Sequence, residues 1–351
     1  MKIIKYLICS FFILLLNCKK VETNKEYVQL LWKNDTFDWM PSSLVLKDNL
    51  LYFADLNRNF YAVNLENAKV ELNFKTDYNP IHKPLIVDQN LFLTEYNSDL
   101  NCFDKTSKLK WKIKGEINLR NDLSQYNQFI YGSVLGNGFS KIDKTTGKVI
   151  WFLPEASNNT ETNGPAFFKE MIYLGFSDFN AKLSAINNQN GKIIWENKYE
   201  NFKTISQYTT DKGLLVFLNK DLKEGKILML DYQNGNEIWS KSINCDLHYE
   251  PNLADDNVIF STYNNKVLSI NIENGKTNWL LNLKNDQVET SVVNFKESVY
   301  FGTINRKLYS VNKKTGNINF MQQFNFGLIT PIIENNKIYF PTGGNEIWVL
   351  K

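Results

Sequence analysis

The strongest constraint on this chain is a self-similar unit of about forty residues that recurs along most of its 351 residues. One copy reads Ser298-Val-Tyr-Phe-Gly-Thr-Ile-Asn-Arg-Lys-Leu-Tyr-Ser-Val-Asn-Lys-Lys-Thr-Gly-Asn-Ile-Asn-Phe320. An aromatic or aliphatic anchor falls at Tyr52, Phe92, Tyr131, Tyr173, Val216, Ile259, Tyr300 and Tyr339, at spacings of 40, 39, 42, 43, 43, 41 and 39. A large residue closes each of seven units, at Leu72, Trp111, Trp151, Trp195, Trp239, Trp279 and Phe320. The two registers agree, so one supersecondary unit is repeated.

Each unit has the same plan. A short strand, often preceded by Pro (Pro84, Pro165, Pro251, Pro331), leads to an apolar strand, a tight polar turn and an alternating strand. The alternating strand ends on Asn64, Asp104, Asp143, Asn187, Asp231, Asn271 or Asn312. Such side chains bond the backbone two residues on and open a turn. Four residues later Gly147, Gly191, Gly235, Gly275 or Gly316 supplies a positive φ without steric cost. A last strand carries the Trp, whose recurrence in most units indicates packing between sheets rather than a ligand stack. Four strands in about forty residues define a β-propeller blade. The expected fold is therefore all-β, an eight-bladed β-propeller of four-stranded blades. The eighth unit stops at Lys351 after its third strand, and the missing strand stands at the other end as Val28-Gln-Leu-Leu-Trp32. The N-terminal strand is expected to complete the last blade and close the ring, which removes free sheet edges.

Residues 1–17 read as a leader: Lys2 and Lys5 precede an apolar run from Tyr6 to Leu16. That run is too short for a helix across a bilayer, which needs about 20 residues. Leu15-Leu16-Asn17-Cys18 resembles a bacterial lipobox, which implies lipidation of Cys18 and a linker over 18–26 that tethers a propeller over 27–351 to a membrane. Lys19 is not the Asp that retains such lipoproteins at the inner membrane, so an outer-membrane anchor facing the periplasm is expected. Cys102 and Cys245 lie several units apart and are expected to stay unpaired, Cys102 as a buried filler.

Composition narrows the function. The 40 Lys and Arg stand against 37 Asp and Glu, a formal balance of +3, and loss of Lys2 and Lys5 with the leader brings it to +1. That leaves no field to attract nucleic acid over the whole molecule. Two His residues cannot form a His-rich metal site. Asp255-Asp256 is the one adjacent carboxylate pair in a propeller turn, and a solvated turn explains it. No catalytic residue, cofactor or metal is expected.

The run at 309–320 and Asp143-Lys-Thr-Thr-Gly-Lys-Val-Ile-Trp151 resemble the pyrroloquinoline-quinone (PQQ) repeat of quinoprotein-type propellers. The resemblance covers the chain after its leader, with departures in the first unit (Asn67-Ala68, Leu72) and in the second, which lacks the Gly. It implies one of two functions. Quinoprotein dehydrogenases bind PQQ and a divalent cation over the funnel, but this sequence has neither a vicinal cysteine pair nor the long insertions of those enzymes. The lipobox, short linker and single propeller resemble instead the propeller lipoproteins of the outer-membrane β-barrel assembly machinery. That resemblance implies a monomeric, non-catalytic scaffold with a protein partner, an outer-membrane barrel assembly component among the candidates. Glycan or small-ligand binding by an exported lipoprotein is the alternative.

A binding site is expected on the face where outer-strand-to-inner-strand loops meet the turns between second and third strands. Trp39, Tyr78, His82, Arg120, His248, Tyr249 and Glu250 fall in those loops, with Phe324 and Phe326 before Pro331 and a long loop at 155–163. Aromatics, Arg and carboxylates on a rigid rim suit a protein-binding surface.

Overall fold

A computed structural model describes residues 27–33, 44–80, 82–115, 122–133, 138–154, 164–177, 180–221, 224–247 and 249–351. The leader, Cys18 and the linker lie outside them. The described strands form eight four-stranded antiparallel sheets, each in simple meander order except the last. Blade 1 comprises Val45–Lys47, Leu50–Ala54, Asn59–Asn64 and Val70–Lys75. Blade 8 takes Ile332–Glu334, Lys337–Thr342 and Glu346–Leu350 from the C-terminal end and Val28–Lys33 from the N-terminal end. The fold and its closure are thus as the repeat arithmetic required.

Burial follows position in the blade. The second and third strands are covered on both faces by the neighbouring blades, so Leu50–Ala54 and Asn59–Asn64 are mostly buried. The outer strands alternate exposed and half-buried residues, as Val70–Lys75 does, because one row faces a neighbouring blade and the other faces solvent. The core is a set of apolar clusters lying between adjacent blades. One joins Leu51, Phe53, Tyr61 and Val63 of blade 1 to Tyr339, Ile347 and Val349 of blade 8, and so holds the ring shut by apolar burial.

The large residue of the outer strand acts across the blade junction. Trp111, Trp151, Trp195, Trp239 and Trp279 each donate their indole Nε1–H to a carbonyl of the next blade, at Lys144, Asn188, Tyr232, Ile272 and Lys313, over 2.9–3.2 Å. Each ring lies against the turn glycine of that blade. A Cβ on Gly147, Gly191, Gly235, Gly275 or Gly316 would come within 2.7–2.9 Å of it. The glycine therefore does two things: it takes a φ near +70° and leaves room for an indole. The Asx residues open these turns as expected; the Asp143 carboxylate, for example, accepts the Thr145 and Thr146 N–H groups.

Three consecutive junctions lack this Trp–glycine pair. Phe320 replaces Trp in blade 7, and blade 8 ends before its turn. Leu72 in blade 1 meets a blade 2 turn without Gly. The third is the closure itself, where Trp32 stands forty residues before Leu72 and so at the spacing of the repeat. Tyr52 pairs with Ala62 and Ala62 with Leu72 in blade 1, whereas Tyr339 pairs with Val349 and Val349 with Gln29 in blade 8. Gln29 thus holds the indole position. Trp32 sits opposite Ile347, nearer the other end of the strand, and packs against the blade 1 cluster. Register between the last two strands of other blades is set by a tight turn, and no turn joins Leu350 to Val28. The first blade correspondingly carries Ala68 in place of Gly, at φ 57°.

Cys102 and Cys245 are free and buried, as expected. Burial pushes the Cys102 thiol up to about 11. Asp255 sits in a two-residue turn and pairs with Lys313 at 3.0 Å, which accounts for the carboxylate pair in structural terms.

The glycine seat gives a direct test. Gly191→Ala places a Cβ 2.9 Å from Trp151 at a φ of +73° and should cost about 2 kcal/mol in urea unfolding. Ala68→Gly, at the closure where Ala holds the glycine position, should shift stability by less than about 1 kcal/mol. Equal effects at both sites would contradict the docking account.

Candidate functional site

Backbone bonds stitch the two sets of loops into one rim. Tyr96, Tyr263, Ile304 and Gly343, each just past a second strand, donate their N–H to the carbonyls of Asn79, Asp246, Gln287 and Gly327 in the loops entering the same blades. Bridges at Pro80–Glu95, Leu247–Thr262, Val288–Thr303 and Leu328–Thr342 extend the same sheets onto that face. The rim is therefore fixed by the blades beneath it.

Four of its exposed apolar side chains lie at one offset in the repeat, four residues after the strand anchor. Leu56 is 65% exposed and Tyr96 70%, and Tyr263 and Ile304 are also exposed. Tyr78 and Phe326 join them from the entering loops, with Phe326 laid against Gly344. The apolar positions run through blades 6, 7, 8, 1 and 2 in ring order. On the far side, blade 4 has the buried Ser177 and blade 5 has Lys220 at the same offset. The rim is apolar on one side and polar on the other.

The loops reach further inward at the funnel mouth. His82 Nδ1 lies 3.4 Å from the Asp122 carboxylate, and the Lys83 N–H reaches the same oxygen at 3.3 Å. The Glu250 side chain reaches solvent, yet protein atoms crowd around its carboxyl. That partial desolvation pushes the carboxyl up; Lys83 opposes the shift and Asp122 adds to it. Burial likewise raises Tyr249, with Glu289 and Tyr263 contributing. Residues from blades 2, 3, 6 and 7 are thus within electrostatic range of one another. A cavity of about 440 Å³ continues below, lined by Lys83, Pro84, Leu85 and Asp122 and by Val45 and Lys47 of blade 1.

The structure brings together part of the sequence-derived set. His82, Tyr249 and Glu250 converge on the funnel mouth, and His82 is held against Asp122 rather than standing in solvent. Tyr78 lies apart on the outer rim, where its carbonyl accepts the Thr76 hydroxyl at 2.7 Å. Trp39, Arg120, His248 and the 155–163 loop lie outside the described residues. Phe324 is a correction: it is buried and meets Trp348 edge-on at 5.1 Å, so it belongs to the core. Leu56, Tyr96, Tyr263 and Ile304 were missed, although their common offset from the anchor was readable.

Chemically the site offers apolar contact and a few buried ionisable groups. Among the described residues no group of three or more His, Cys, Asp or Glu side chains could hold a metal ion. In blade 2, Lys112 bridges Asp99 at 2.7 Å and Asp77 at 3.2 Å. Burial alone would raise Asp99, but hydrogen bonds from Lys112, Asn97 and the Gly115 N–H outweigh it and lower the pKa. Such pairs brace the rim.

The class defined by this architecture is a closed eight-bladed propeller built from PQQ-type repeats, with a rigid loop face. The model of one family, described as outer membrane protein assembly factor BamB, matches residues 71–209 and 203–287, and the chain belongs to that family. The outer membrane protein assembly factor BamB of Shewanella oneidensis is 24% identical over 220 residues, which cover 58% of this chain and 53% of that protein. The chain therefore matches about half the length of this curated relative. The crystal structure of BamB from Moraxella catarrhalis superposes with a TM-score of 0.73 at 12% identity, over 93% of this chain and 100% of that one. A computationally designed protein, Ika8, superposes with a TM-score of 0.75 at 10% identity, over 92% of this chain and 99% of that one. At these identities the superpositions establish the fold alone.

Asp246 in the rim of blade 6 supplies a pH test. Burial raises its carboxyl to about 6, Asp221 adds to the rise, and a backbone hydrogen bond from Lys220 opposes it. A raised carboxyl pKa means the folded state holds a proton that the unfolded state releases from about pH 4 upward, so stability falls between pH 4 and 6. Asp246→Asn should therefore stabilise the protein by about 2–3 kcal/mol at pH 7.5, with the gain shrinking as pH falls toward 4. Urea unfolding across this range measures it; a gain independent of pH would refute the assignment.

Proposed function

We propose that this protein is a lipid-anchored, non-catalytic scaffold of the outer membrane that binds a protein partner through its loop face, in the assembly of outer-membrane β-barrels. The observation that carries the reading is the exposed apolar series across five adjacent blades, on a rim fixed by backbone hydrogen bonds. Large apolar side chains held on a rigid surface are what a protein interface uses for its central contacts. Family membership supports the assembly role, since the family and the Shewanella oneidensis relative carry that description. A scaffold role also fits a funnel mouth whose carboxylates and His82 are engaged with neighbouring loops. Lipidation at Cys18 would hold the propeller at the membrane while leaving the rim free.

Crosslinking in the native host, followed by purification and mass spectrometry, tests the role. The expected product is an outer-membrane barrel protein with periplasmic repeat domains, recovered from the outer-membrane fraction. Tyr96→Ala combined with Tyr263→Ala should reduce that recovery at least about tenfold with an unchanged circular dichroism spectrum and melting temperature. Recovery of nutrient-uptake proteins instead, or undiminished capture by the double variant, would overturn it.

A further inference from the structure

The junction between blades 1 and 2 keeps the frame of the indole dock and lacks the indole. Leu72 stands opposite Ala62 in the register that Trp111 holds against Cys102 and Trp151 against Lys141. The receiving turn is also one residue shorter: the Asp104 N–H bonds to the Lys108 carbonyl, where the Asp143 N–H bonds to that of Lys148. A cavity of about 420 Å³ lies at this junction.

Leu50, Tyr52, Ala62 and Leu72 of blade 1 line it with Leu91 of blade 2, among polar residues such as Glu71, Asp88 and Asn90. Beside it Phe74 of blade 1 meets Phe103 of blade 2 at 4.9 Å. Lys105, which also lines it, follows Asp104 as Lys144 follows Asp143 and Tyr232 follows Asp231. Its carbonyl is thus the counterpart of those that accept an indole N–H elsewhere in the ring. A recess between blades 4 and 5 makes a useful contrast. It is lined by Phe168 and Tyr232, whose rings stack at 3.9 Å, and Trp195 is not among its walls. At the blade 1–2 junction the space extends past Leu72 to Ala62, into the row an indole fills elsewhere.

We propose that this junction binds a small ligand carrying an indole or a similar N–H-bearing aromatic ring. The ring occupies the space above Leu72 and Ala62 and donates its N–H to the Lys105 carbonyl, completing from outside the contact that five junctions make internally. A half-open recess of this size, with apolar side chains beside polar ones, is large enough for a small aromatic ligand. The site is on a different part of the molecule from the loop face and does not depend on the scaffold role.

Titration of the methyl-labelled full propeller with indole, followed by NMR, tests the site. The expected result is saturable shifts confined to the methyls of Leu50, Leu72 and Leu91, with half-saturation at about 1 mM or below. Leu72→Trp supplies the ring in cis and should weaken indole binding at least about tenfold. N-acetyl-tryptophanamide serves as the second probe. Shifts with both probes support a site open to a peptide-borne ring, and shifts with indole alone support one restricted to free small molecules. Absence of saturable shifts at those methyls with either probe overturns the proposal, as does unchanged affinity in a folded Leu72→Trp protein. If that variant does not fold, the methyl map of the unaltered protein decides the matter.

Discussion

The ring depends on an indole laid over a left-handed glycine of the next blade. A blade alone is a four-stranded sheet with both faces apolar, and it gains stability only when neighbours cover it. Sheet-on-sheet burial is non-directional, so it does not fix how two blades are rotated against each other. The Trp–glycine contact does. It couples a side chain at the outer edge of one blade to a backbone conformation in the next, through a close approach and one hydrogen bond to a defined carbonyl. Repeated from Trp111 to Trp279, it holds blades 2 to 7 at a common spacing, and the rim loops inherit that rigidity.

Where the contact is absent, something else differs as well. The three junctions without it adjoin one another, around the point where the two chain ends meet. Their packing rests on apolar clusters such as the one shared by Phe53, Tyr61, Tyr339 and Ile347. The apolar side of the loop face lies over much of this arc. The polar side lies over blades 4 and 5, within the indole-docked part of the ring. The molecule thus has two halves with different means of cohesion and different surfaces, although every blade has the same four strands.

Most of the fold was legible because a repeat samples the same physics many times. Asp143, Asn187, Asp231 and their counterparts could be read as turn openers from a single position in the unit, and each accepts the expected backbone bond. The pairing of Trp with a glycine one unit later was also present in the sequence, although its reason needs three dimensions. The N-terminal strand could be assigned to blade 8, but Trp32 could not be placed within it, because that register has no connecting turn. The site was less readable. Leu56, Tyr96, Tyr263 and Ile304 share an offset from the anchor, yet nothing in residue type says that a turn tip faces solvent. Phe324 illustrates the opposite problem: two residues from the exposed Phe326, it enters the core because Trp348 offers it a face. His82 and Asp122 stand one repeat apart, a separation that signals neighbouring positions in adjacent blades.

The chain ends join into one cooperative ring without a Trp–glycine pair at the closure. Hydrogen exchange read by mass spectrometry on the intact protein tests it most directly. Amides in 28–33 and 346–350 should show the same protection as the outer and third strands of blade 5, at 237–243 and 224–230, and all should lose it together as denaturant is added. Exchange of the 28–33 amides by orders of magnitude faster, with blade 5 still protected, would mean that the N-terminal strand frays independently and that closure does not hold the ring.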